Sequence, residues 1–153
     1  MSDVIRTTSP TIINLLPGEV FVFGSNAAGR HGKGAAKTAL GWGAVYGQAS
    51  GLQGRTYGLP TVNASVRGTL PLDRIRRHVD VFIAFAASRP DLTFLVTEVG
   101  CGLAGLSTKD VGPLFRAAIP LTNVRLPNKF WRALRIFSQE DLDARDPIED
   151  ETA

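Results

Sequence analysis

The 153-residue chain has a single cysteine, Cys101, and two histidines, His31 and His78. One thiol cannot staple the chain, so cytoplasmic residence is the simplest expectation. Neither histidine lies in ligand spacing with Cys101, and no metal site is expected. No apolar run approaches ~18 residues, which argues against a membrane partner. The first residues lack the basic-then-apolar layout of a signal peptide. Repeats and low-complexity segments are missing as well. What is present is an ordinary globular composition, 44% hydrophobic and 20% charged. A chain of this length can bury a core as one domain.

Acidic residues are scarce over most of the chain and crowd its end. Glu140, Asp141, Asp143, Asp146, Glu149, Asp150 and Glu151 stand against Arg145 alone. Without them, 7 acidic and 16 basic side chains precede Gln139. A core that basic favours polyanions or phosphorylated small molecules. Residues 1–138 are therefore expected to form the domain. Residues 139–153, charged, poor in apolar side chains and carrying Pro147, are expected to form a disordered tail. Such a tail either aids solubility or shields the basic face.

Two glycine-rich turns, each directly after a short β-branched and aromatic run, dominate the rest. The first run, Val20–Phe23, leads into Gly24-Ser25-Asn26-Ala27-Ala28-Gly29-Arg30-His31-Gly32-Lys33-Gly34. The second, Thr93–Val99, leads into Gly100-Cys101-Gly102-Leu103-Ala104-Gly105-Leu106. The runs read as strands, and Thr56–Thr61 and Asn123–Leu126 as two more. Helices are expected over Lys33–Val45, Thr108–Ile119 and Phe130–Phe137. A stronger amphipathic helix opens at Pro71-Leu72-Asp73, with Ile75, Val79, Phe82, Ile83 and Ala86 on one face. Tyr46–Gly54 reads as loop, and Gln48–Arg55 as a mobile binding loop or a plain connection. Strands alternating with helices predict an α/β sheet, mixed or mostly parallel, with helices on both faces: a three-layer α/β/α sandwich.

Turns at the carboxyl ends of neighbouring strands frame a crevice suited to a phosphate-bearing molecule. In the first turn Lys33 falls in neither a Walker loop nor a dinucleotide fingerprint. Arg30, Lys33 and the following helix start still favour an anion there. The alternative is a packed turn whose glycines only permit tight geometry. In the second turn the glycines suit backbone amides wrapping a diphosphate or a ribose. Cys101 lacks a base and reads as a small hydrophobe. Of Thr97 and Glu98, which alternate in facing, one should point into the sheet or the crevice. Arg74, Arg76 and Arg77 read as a solvated helix face. Trp42, Tyr46, Phe130 and Trp131 form no stacking stripe, which disfavours a nucleic-acid partner.

Together the turns resemble the two ligand loops of macro domains. Asn26, followed by Gly29-Arg30-His31-Gly32-Lys33-Gly34-Ala35-Ala36, looks like the first loop. Val99-Gly100-Cys101-Gly102-Leu103-Ala104-Gly105-Leu106, with Val111 beyond, is similar to the second. Leu59-Pro60-Thr61 matches a strand ending of the branch that hydrolyses ADP-ribose from carboxylates or thymine. The pattern over about residues 20–127 also resembles a macro-like family frequent in phages. The resemblance implies recognition or sequestration of ADP-ribose or a related NAD-derived nucleotide, without a cofactor. In a phage this would suit counter-defence in the host cytoplasm. Gly24, Ser25, Asn26, Arg30, Gly32, Lys33 and Gly34 would line the distal ribose. Gly100, Cys101, Gly102, Leu103, Ala104 and Gly105 would line the diphosphate. Val62 and Ala104 stand where hydrolases of the branch place a lysine and, in some, an aspartate. The enzymatic alternative, an ADP-ribosyl hydrolase or ADP-ribose phosphatase, would rely on a water positioned by Asn26. A nucleic-acid accessory protein is a further alternative, and the oligomeric state is open.

Overall fold

The computed structural model describes residues 6–63, 68–102 and 104–135. Six strands form one sheet in the order β1-β6-β5-β2-β4-β3. They are β1 (Thr7–Thr8), β2 (Glu19–Asn26), β3 (Gly51–Gln53), β4 (Thr56–Val62), β5 (Thr93–Val96) and β6 (Val124–Pro127). All neighbours run parallel except β3, which is antiparallel to β4. The helices are α1 (Gly34–Leu40), α2 (Leu72–Ser88), α3 (Thr108–Val111) and α4 (Asn128–Leu134), with a 3-10 segment at Gly112–Ala118.

β2 lies at the centre, and its alternation divides the core. Val20 and Val22 join the large cluster under α2, the 3-10 segment and α4. Phe21 and Phe23 join a smaller cluster with Ala36 and Ala39 of α1, Leu15 and Leu95. A strand covered on both faces has no solvent side to make polar, hence its unbroken apolar run. The α/β/α layering expected from the sequence is present, and Val22, Leu95 and Val96 are buried. No described helix is long and apolar enough to cross a membrane.

α2 buries the five side chains its period picks out, Ile75, Val79, Phe82, Ile83 and Ala86. Elsewhere the structure corrects the expected bounds. β2 runs on through Gly24-Ser25-Asn26, so these residues are strand rather than turn. β5 stops at Val96, where Thr97 turns its hydroxyl to the Val22 carbonyl at 2.7 Å. α1 ends at Leu40, well short of Val45. The helix expected over Thr108–Ile119 divides: Ser107 caps α3, and the tighter 3-10 turn takes over at Gly112-Pro113. Proline supplies no N–H to continue an α-helical ladder. Within the expected loop, Gly51–Gln53 is a strand. The buried Gln53 amide holds that corner, accepting from the Val45 N–H at 2.7 Å and donating to the Gln48 carbonyl at 3.1 Å. Gln48–Arg55 is thus tied at its centre rather than loose.

Candidate functional site

β2 and β5 are adjacent and parallel, with Val22 opposite Val96, so both glycine turns leave the same edge of the sheet. They meet there. A Cβ placed on Gly24 would lie 3.2 Å from the Gly100 nitrogen and 3.0 Å from Thr61 Oγ1. Glycine at 24 is what allows the second turn to close against β2. Gly100 is left-handed (φ 78°), and its neighbours include the Thr61 methyl and Leu106. Thr61, buried at the end of β4, is wedged between the two turns.

The residues of the first turn divide by surroundings. Ser25 is buried, and its hydroxyl donates to the Ala49 carbonyl. It therefore ties the turn down instead of facing a ligand. Asn26 Nδ2 donates to the Asn63 carbonyl at 2.9 Å, and its Oδ1 accepts from the Ala28 N–H at 2.7 Å. Each end of the amide is engaged by backbone, which suits a brace between β2 and the end of β4. Gly29 (φ 74°) backs onto Gly47, where an added Cβ would fall 2.4 Å from the carbonyl carbon. That glycine fits the packed-turn alternative. His31 is buried against Phe23 and shares a hydrogen bond between its Nε2 and the Gln48 carbonyl at 3.0 Å. Arg30, Gly32, Lys33 and Gly34 are exposed.

In the second turn several amides serve the turn itself. Those of Cys101, Gly105 and Leu106 donate to the carbonyls of Glu98, Gly102 and Gly100. Cys101 and Gly105 thus lose the diphosphate-binding amide expected of them. Gly102 is exposed, with nothing within 4 Å of a Cβ built there. Ala104 is half-buried, and Leu103 lies outside the described residues. Burial pushes the Cys101 thiol up to about 11, with the Glu98 carboxylate adding to the shift and Lys129 opposing it. A thiol held protonated is a poor nucleophile.

Beside the meeting point lies a cleft of about 520 Å³. Its walls come from the ends of β1, β5 and β6 and from α1 and α4. They include Thr7–Pro10, Thr97, Glu98, Asn128, Ala35 and Thr38, with Lys129 and Arg132 adding positive charge. The hydroxyls of Thr7 and Thr8 are buried without a partner among the described residues. None of the described glycine-turn residues singled out from the sequence lines the cleft. The turns flank it. Thr97 and Glu98, of which the sequence predicts that one faces the sheet or the crevice, both line it; the β1 side was missed because β1 is two residues long and carries no period. The spacing of Lys129 and Arg132, one turn apart on the last helix, was a readable signal.

No family model, curated protein or solved structure matches the chain. Among the described residues it offers a positive cleft flanked by close-packed backbone, with Cys101 protonated and the Asn26 amide already engaged.

Proposed function

We propose that the protein binds a diphosphate-bearing nucleotide of the ADP-ribose class at this edge of the sheet, by recognition or sequestration. One observation carries the reading: two glycine turns leave adjacent parallel strands at one sheet edge, the second closing at Gly100 against Gly24 of β2, beside a cationic cleft. A volume of about 520 Å³ falls within the range of small-molecule sites. The resemblance of the two turns to macro-domain loops supports the ligand class. The exposed Gly102 and the Lys129 and Arg132 side chains suit phosphate.

Turnover forms no part of this reading. Val62 pairs with Asn26 across the β2–β4 ladder, so the position of the hydrolase lysine holds an aliphatic side chain beside that asparagine. Valine can neither attack an anomeric carbon nor move a proton. The wild type should release no ADP-ribose from modified carboxylates or thymine above background. Release that disappears on Asn26→Ala would establish the enzymatic alternative instead.

The direct test is calorimetry against ADP-ribose, NAD, cyclic ADP-ribose and short oligonucleotides. Binding of one diphosphate nucleotide, weakened by Lys129→Gln, is the expected result. Affinity for oligonucleotides alone would overturn the proposal.

A further inference from the structure

A second groove, of about 330 Å³, runs between α3 and α4 and is lined by Thr108, Lys109, Lys129, Arg132, Ala133 and Arg135. All four of its cationic side chains are exposed. Lys129, Arg132 and Arg135 follow at three-residue intervals, which strings their charges along about 9 Å of helix axis. Among the described residues, Asp110 on α3 and Glu98 in the lining of the larger cleft are exposed acids. α4 ends at Arg135, whose N–H bonds back to the Trp131 and Arg132 carbonyls in a left-handed conformation (φ 56°). A non-glycine residue in that region is uncommon, and here it stops the helix at the groove's own rim.

The chain continues from that rim into its most acidic stretch. Glu140, Asp141, Asp143, Asp146, Glu149, Asp150 and Glu151 follow, with Arg145 the one opposing charge. Glu140 is five residues beyond Arg135, a reach of up to about 17 Å. A tether this short gives an effective concentration on the order of millimolar. Weak ion pairing that would be negligible between separate molecules is thereby populated. We propose that the groove between α3 and α4 is the docking surface of the chain's own acidic segment, Glu140–Glu151, which there competes with anionic ligands. Lys129 and Arg132 line both this groove and the larger cleft. A docked segment therefore occupies charges that an incoming phosphate would use. The inference goes beyond the nucleotide reading and does not depend on it.

Zero-length carbodiimide crosslinking of the full chain at low salt tests the seat directly. Linkage of the acidic segment to Lys109 or Lys129 within one chain, lost at high salt, is the expected result. Linkage spread evenly over Lys33 and Lys37, or found only between two chains, would overturn the proposal. Calorimetry with tripolyphosphate tests the competition. Replacing the seven acids by their amides, in the full chain, should tighten binding at least fivefold, and so should ending the chain after Ser138. A peptide of residues 138–153, added to the shortened chain, should reverse the gain. Equal affinity of full and neutralised chains for tripolyphosphate would equally overturn it, whatever ADP-ribose does. Tripolyphosphate replaces the nucleotide in this experiment, so failure here leaves the nucleotide reading to its own test.

Discussion

Gly24 and Gly102 are both glycines of the ligand-loop pattern, yet an added side chain meets opposite surroundings at the two. At Gly102 it meets open space. Gly102→Val should leave the melting temperature unchanged while lowering nucleotide affinity tenfold or more, about 1.4 kcal/mol. At Gly24 it meets Thr61 and the Gly100 backbone. Gly24→Ala should force the turns apart, lowering stability by about 1–3 kcal/mol and affinity with it. Thermal melts run beside calorimetry separate the two. Equal effects on stability would show that the turns do not meet as described. Cys101 supplies a pH test. Burial disfavours its thiolate, so alkylation by iodoacetamide should keep accelerating past pH 9 and level only near its raised value of about 11. A plateau near pH 9 would contradict the burial. None of these differences was legible in the sequence. The glycine spacing looks uniform, whereas each glycine's role depends on a backbone that arrives from elsewhere in the chain.

Elements announced themselves in proportion to their length. α2, 17 residues long, shows its period over several turns, and its five core side chains could be read directly. β1 and β3, of two and three residues, are too short to show any alternation. Asn123 looked like the first residue of a strand. Its amide instead lies within 3.0–3.1 Å of the carbonyls of Ala86, Arg89 and Leu92, clamping the end of α2 to the approach of β5. Asn123→Ala should leave those carbonyls short of a donor and destabilise the protein by roughly 1–3 kcal/mol. A denaturation midpoint within error of wild type would show that water replaces the clamp. The candidate site was half legible for a related reason. Its two turns lie in continuous sequence, while its cleft is assembled from the ends of three strands and from two helices, α1 and α4.

The whole molecule is lopsided. One face of the sheet carries α2, the 3-10 segment and α4 over the large cluster, and the other carries α1 and the segment around Leu15. Local opening is easiest where few apolar contacts must break. Backbone amides of α1 should therefore exchange with solvent deuterium much faster than those of α2. Equal protection would show that the small cluster unfolds only with the large one. The sequence implied helices on both faces but could not show how unequally they are covered, because coverage depends on which elements cross to which side. β1 pairs with β6 alone, Thr7 opposite Leu126 and Thr8 opposite Pro127. Its place at the sheet edge also fixes an order of events during synthesis. At about 5–20 residues per second, some 6–24 s pass between the emergence of these partners from the ribosome. Through that interval the Thr7–Thr8 wall of the cleft has no sheet to join. The nascent chain can build β2, β4 and β5 early, but the cleft becomes a binding site only once β6 and α4 have followed them.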